Sequence, residues 1–544
     1  MPYIRRLVLF FVIAIYLSGC GGCSDDIAGE TCDVEAADDC EHDELELVCA
    51  DDGEGETLCL HPTGAYCDAD EDPDFCLPDV ACEVVDDEED EARCLAGEGG
   101  ECVPDEDHCS GDLVCAELES GEYECHQEVV VQGVVFDAET LDAIEGAHIL
   151  AFDGERRALS DVAESDADGH YQLSLPAVRD EEGEPVQQFF TLRGSAQDYQ
   201  TFPGGIREAQ PIDASSIEDV DDQWVIDTTQ TDIALIELAE SDRGHPHISG
   251  TVDIDGGLGG VLVVAEPEGV DFEAEEQAVG ISAVSGLDGS FTIFNVPPDD
   301  YEVRGYIADT QIEPEAVQID DDNVEDVVLT LSEEGIQDVS GNIQIVRTEG
   351  ETSILLLAAS TFDETTVRGE AIAGLRAPKT GPGDISGEWT IEGVPAGNYV
   401  IMAAYEIDGL VRSPDEGIAG TDIVQIEVPQ GDGEMDTGDS FKVTSALETF
   451  GPGADGPEGL SERPTLRWGN IANGDYYDVV VFDAFGDIVF EETGIQQQGG
   501  QTEYTAEYDG PFDEGMYYQF RATAHRMGSP VTSTEFLLGV FYAE

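Results

Sequence analysis

Lysine is almost missing from this chain: Lys379 and Lys442 are the only two, and Lys and Arg together number 20 against 123 Asp and Glu, a formal charge of −103. Such a field repels phosphate backbones and anionic lipid headgroups, which excludes nucleic-acid binding. Catalytic signatures are missing as well. None of the nine histidines has Glu three residues after it, as a zinc carboxypeptidase requires. The nucleophile elbow is broken at its last position in Gly280-Ile-Ser282-Ala-Val284, and the glycine run Gly256 to Gly260 is followed by Val-Leu instead of the Lys-Ser or Lys-Thr of a phosphate loop. Beyond the N-terminus no apolar run is long enough to cross a bilayer as a helix; the best, Ile354 to Ala359, is strand-sized. After Cys125 there is no cysteine in 419 residues. These absences leave no catalytic residue, cofactor or metal ligand to assign.

What is present begins with a basic pair, Arg5-Arg6, and an apolar run from Leu7 to Leu17 that is too short for a membrane span, the layout of a signal peptide over 1–19. Leu17-Ser18-Gly19-Cys20 follows directly and resembles the bacterial lipobox, which implies that Cys20 is lipidated and becomes the first residue of an anchored, exported protein. An ordinary secretory cleavage is the alternative. Gly21, where Asp would favour the inner membrane, points to the outer membrane or cell surface. Acid-rich, lysine-poor composition fits salty surroundings, or genome bias combined with solubility.

Past a tether at 20–31, twelve cysteines form three sets between 32 and 126. They are Cys32, Cys40, Cys49 and Cys59; Cys67, Cys76, Cys82 and Cys94; Cys102, Cys109, Cys115 and Cys125. The sets span 32–59, 67–94 and 102–125, start 35 residues apart and are separated by one constant interval of eight, which marks a serial repeat. Units this poor in large apolar residues need cross-links, so two disulfides per set are expected, with three pairings open in each. Cys23 is left over.

From Val129 onward short alternating apolar runs are punctuated by Gly, Asp and Pro, the texture of antiparallel sandwiches. Three openings match: Val131-Gln-Gly133, Ile248-Ser-Gly250 and Val339-Ser-Gly341. A Gly-x-aromatic step follows at Gly169, Gly289 and Gly387, and Val296-Pro297 to Tyr301 repeats as Val394-Pro395 to Tyr399, with Leu175-Pro176 as the shorter first version. Glycine turns the chain, the aromatic enters the core and proline ends the strand. The modules at 129–240, 246–333 and 336–447 resemble the carboxypeptidase regulatory-like family, which implies a transthyretin-like sandwich for binding or spacing, without catalysis. A Gly/Pro-rich linker is expected at 448–463. Residues 464–544, with Trp468, Tyr476-Tyr477 and Tyr517-Tyr518, resemble a fibronectin type III or Ig-like domain, with Trp468 in its core.

The fold class expected is therefore mainly β: small disulfide-rich repeats followed by a string of antiparallel β-sandwiches. Short linkers at Ser241 to His245 and Ser332 to Gly335 predict modules that touch end to end as a stalk. Candidate partners are a membrane through the lipid, a protein or glycan ligand, and weakly held calcium at acidic runs such as Asp166-Ala-Asp168 and Asp320 to Asn323. The function expected is a non-catalytic surface scaffold or adhesion lipoprotein. The alternative is an accessory hydrolase or protease-inhibitor-like protein acting through the cysteine repeats.

Overall fold

The computed structural model describes residues 48–51 and 57–60, scattered positions between 65 and 86, and from residue 91 onward all but short stretches, the longest of them 413–422. Cys20, Cys23, Cys32 and Cys40 lie outside the described residues. The chain divides into two compact units, one of Met1–Cys115 with Tyr123–Cys125 and one of Ala116–Glu122 with His126–Glu544. Regular structure is almost entirely β; among the described residues the helical turns, such as Glu240–Asp242 and Ala359–Thr361, are single 3-10 turns.

Among the described residues each cysteine set contributes one hairpin: Val48–Asp51 with Thr57–Leu60, Val80–Asp86 with Glu91–Ala96, and Leu113–Glu117 with Tyr123–Gln127. The apolar core around the last hairpin is little more than Ala96, Leu113 and cysteines. So small a core cannot offset the chain entropy of ordering the repeat without covalent help.

The second unit holds four two-sheet sandwiches. In the second of them Ser290–Ile293, Ile248–Asp253 and Val324–Thr330 form one sheet, and Ile281–Val284, Leu262–Pro267, Asp300–Tyr306 and Glu315–Gln318 the other. Pairing is antiparallel except where the first and last strands meet, as Ile248–Asp253 does Val324–Thr330 in parallel. The reason is parity: in seven strands of alternating direction the first and seventh run the same way, so adjacency makes them parallel. The first and third sandwiches repeat this parallel closure, on Val129–Asp137 and on Gln337–Ile345. In the fourth, Thr449–Gly451, Thr465–Gly469 and Glu503–Glu507 face a larger sheet centred on Tyr476–Asp483 and Tyr517–Arg526.

Alternation places the core as the sequence pattern requires. Tyr171, Leu173 and Leu175 of His170–Leu175 are buried while His170, Gln172 and Ser174 are exposed. Several strands break the alternation, among them Leu262 to Ala265 and Ile354 to Ala358, which are buried throughout. The outer face of the first of these two, with Tyr306, closes the core of the third sandwich, so that Leu262, Val264 and Tyr306 join Leu356, Leu375 and Tyr399 in one apolar cluster, while Leu357, Val400 and Met402 on the other face of the third pack with Phe362. The first, second and fourth sandwiches keep clusters of their own.

Two expectations are corrected here. The segment 448–463 is not a free linker, because Thr449–Gly451 and Glu458–Leu460 pair with Thr465–Gly469 and Val540–Ala543. Its glycines serve close packing: Gly453 is left-handed at φ 71°, and a Cβ there would collide with the Val540 backbone. Nor do the sandwiches meet only end to end. The first carries hydrogen bonds to the second through Arg193 and Ser282, to the third through Arg193 and Glu370, and to the fourth through Arg207 and Phe485.

Candidate functional site

The cysteine sets come first in the chain. Bridges join Cys67 to Cys82, Cys76 to Cys94, Cys102 to Cys115 and Cys109 to Cys125, so in both fully described sets the first cysteine pairs with the third and the second with the fourth. Cys82 and Cys94 face each other across the hairpin, as do Cys49 and Cys59 in the preceding one, yet the first of these couples is not itself bonded. In the second and third sets each hairpin cysteine instead reaches back to the segment before the hairpin and ties it down. Closing loops of 13 to 18 residues stabilises each repeat by about 3 kcal/mol per bridge through the unfolded chain.

The repeated sequence punctuation turns out to build joints. Val-Pro-x-x-x-Tyr closes on itself: the Tyr301 hydroxyl donates to the Pro297 carbonyl at 2.9 Å, and Tyr399 donates to the Pro395 carbonyl at 2.7 Å. That locks a turn whose preceding residue docks on the module before it. Asn295, at φ 59°, accepts from the Asp198 N–H at 2.6 Å and from Gln197 Nε2 at 2.8 Å. Its own Nδ2 donates to the Ala196 and Tyr199 carbonyls at 3.0 and 3.1 Å. Gly393 stands at the same place in the third module, and its carbonyl accepts from the Asp309 N–H at 2.8 Å. Asp198 and Asp309 are both left-handed and both lie three residues past a strand end, at Ser195 and Tyr306. Leu175-Pro176 of the first module leads into Arg179, which exchanges backbone hydrogen bonds with Glu117 and Glu119. The opening glycines also differ from simple turn formers. Gly250 lies within its strand where a Cβ would collide with the Val327 carbonyl of the parallel neighbour, whereas Gly289 is the left-handed turn residue expected, at φ 82°.

Two carboxylates lie where modules meet. Glu266 of the second module accepts from Tyr306 Oη at 2.9 Å and from Ser360 Oγ of the third at 2.8 Å, with Arg304 Nε 3.2 Å from its other oxygen. Burial pushes its carboxyl up, and the Ser360, Arg304 and Tyr306 contacts pull against that. Burial also holds the Tyr306 and Tyr399 phenols well above their usual value, so both remain hydrogen-bond donors. Glu370 of the third module receives Arg193 Nη1 at 2.6 Å and Ser282 Oγ at 3.0 Å, with Arg156 Nη2 at 3.5 Å. Burial would raise this carboxyl, but the Arg193 and Arg156 charges outweigh it and hold it below its ordinary value. Both acids thus have their oxygens engaged by the protein, which is the condition of a structural tie and the opposite of a carboxyl waiting for substrate.

The other residues singled out in the sequence are scattered. Ser282, from the broken elbow, is a ligand of Glu370. Asp166 accepts the Asp168 and His170 N–H groups of its own turn at 2.9 Å. Asn323 accepts the His247 N–H at 3.2 Å, while the His247 and His148 rings approach Phe294 edge-on, with centroids 6.2 and 4.9 Å away. Trp468 is fully buried against Tyr477 and Tyr504. On the outer face of the same sandwich Tyr476 stacks on His525, centroids 4.6 Å apart, and His525 Nε2 lies 3.0 Å from Asp478. Tyr517 stacks on Tyr542 at the same centroid distance of 4.6 Å. These rings face each other across neighbouring strands. The arginines of the joints were invisible to sequence reading; the one usable signal was the Asp at a constant offset after Leu192-Arg193-Gly194 and Val303-Arg304-Gly305.

Comparison with protein-family models and with curated proteins found no match. Among solved structures the chain is similar to the Bacillus anthracis TIE protein, at 11% identity over 59% of this chain and 52% of that one, with a TM-score of 0.13. It thus spans about half the length of that protein. It is also similar to BcpA, the major pilin subunit of Bacillus cereus, at 12% identity over 58% and 99% with a TM-score of 0.16. The shaft pilin SpaA of Lactobacillus rhamnosus GG matches at 10% identity over 38% and 98%, with a TM-score of 0.15. Likeness at this level carries no statement about function.

Proposed function

We propose that this chain is an exported, non-catalytic surface lipoprotein: a scaffold or adhesion protein anchored by a lipid on Cys20, on the outer membrane or cell surface, that offers its modules to a protein or glycan ligand. The observation that carries this reading is the character of the joints. Two clusters of ionisable side chains, Glu266 with Tyr306, Ser360 and Arg304, and Glu370 with Arg193, Arg156 and Ser282, lie between modules and are saturated by one another. Interleaved disulfides add support, since such bridges persist in oxidising compartments. The proline–tyrosine turns and parallel closure agree with regulatory-like sandwiches at 129–240, 246–333 and 336–447, and the Trp468 core with a fibronectin type III or Ig-like domain at the C-terminal end. Calcium, where it binds, does so weakly at surface carboxylates.

The test is fractionation followed by a binding screen. Cys20→Ala should release the protein from membranes as unprocessed precursor, and the wild type should stay bound; a variant that remains membrane-bound and is cleaved normally rejects the lipid anchor. The released protein is then applied to a glycan array and used in pull-downs. Turnover of glycoside or peptide substrates by the same preparation would reject the non-catalytic reading.

A further inference from the structure

In a chain with 20 Lys and Arg residues, four arginines gather where the first sandwich meets the third and fourth. Arg193 and Arg156 of the first sandwich hold Glu370 of the third. Two residues before Glu370, Arg368 Nη1 donates to the Arg207 carbonyl of the first at 2.9 Å. Arg207 in turn donates through Nε to the Phe485 carbonyl of the fourth at 3.0 Å, and Phe485 meets Phe136 edge-on at 5.4 Å. The contacts span 161, 177 and 278 residues of sequence, so they bring together sandwiches that a serial string would keep apart. We propose that this arginine relay is a latch closing the third and fourth sandwiches onto the first, and that the ionic strength of the medium sets how often it is closed.

The sign follows from where the charges lie. The latch is shielded: the Arg193 side chain is 9% exposed and that of Glu370 20%. The opposing force is repulsion between acidic outer surfaces of a chain at −103, and that force acts through solvent. Screening acts over about 30 Å at 0.01 M salt and about 3 Å at 1 M, so salt removes the repulsion and leaves the shielded pairs largely intact. Added salt therefore closes the latch. An ordinary exposed ion pair responds with the opposite sign, which makes the direction of the effect diagnostic.

Limited trypsinolysis of the full chain reads the latch directly, because Arg368 is itself a cleavage site inside it. Arg243, in the loop after the first sandwich and paired with Glu237, serves as the internal standard for protease activity. The ratio of cleavage after Arg368 to cleavage after Arg243 should fall about tenfold between about 10 mM and about 1 M sodium chloride. Arg193→Ala should hold the ratio near its low-salt level throughout, with near-ultraviolet circular dichroism unchanged. Arg156→Gln, whose side chain makes the longer contact, should give an intermediate ratio and stands in if Arg193→Ala does not fold. A ratio that is flat or rises with salt in the wild type overturns the proposal, as does a folded arginine variant that is cut like the wild type.

Discussion

The cysteine repeats and the sandwiches solve the same problem by opposite means. A repeat such as 102–125 has an apolar core of a few residues and is held by two interleaved bridges. A sandwich such as the fourth buries Trp468, Tyr477, Tyr518, Phe520 and Phe541 and contains no cysteine. Covalent closure substitutes for burial where the chain is too short to enclose a core. The contrast extends to connections: the sandwiches are joined by polar side chains, many of them at recurring turns, and the second and third also share one apolar cluster.

The largest effect that would break this contrast is reduction. Removing both bridges of a repeat should cost about 6 kcal/mol, more than so small a core can supply, so residues 65–125 should unfold while 129–544 keep their stability. Hydrogen exchange with and without dithiothreitol checks it; protection that survives reduction in 102–125 would mean that the core there is larger than the bridges suggest. Next in size is Trp468→Ala, expected to destabilise the fourth sandwich by about 3 to 5 kcal/mol through loss of a fully buried ring. Calorimetry should show one transition move and the others stay, and a common shift of all transitions would show that the sandwiches unfold as one.

Smaller changes sharpen the comparison at the joints. Asn295→Gly keeps the left-handed backbone but removes the four side-chain bonds to the first module, and should weaken that joint by about 2 kcal/mol while leaving the core of the second sandwich intact. Exchange rates of the Asp198 and Tyr199 amides, compared with those of Leu262 to Ala265, separate the two outcomes. Tyr399→Phe should cost about 1 kcal/mol, the net worth of one buried hydrogen bond to Pro395, and equal stability by denaturant titration would show the turn to be held by packing alone.

The smallest expected effect is on pH. Burial lowers the His148 pKa below its usual 6.5, so the neutral ring is the form that the joint with Phe294 favours. Its contribution is complete above about pH 6.5 and is lost as the pH falls through the lowered value. The wild type should therefore lose a little stability between pH 7 and 5 relative to His148→Gln; parallel curves would remove His148 from the joint.

Much of this molecule was legible in its order of residues, and the reason is locality. Alternation in His170–Leu175, the apolar step before each third cysteine and the Val-Pro-x-x-x-Tyr phrase each report on a few neighbouring residues, and each fixes a strand, a hairpin or a turn. Mainly β structure, small cysteine units and sandwiches in series follow from those alone. Only tertiary packing could choose the first-to-third and second-to-fourth pairing, give Gly250 its place beneath the Val327 carbonyl, turn 448–463 from linker into strand, and carry Arg193 to Glu370 across 177 residues. Those contacts depend on which faces meet after each core has formed, and no periodicity within a module records the surface of another.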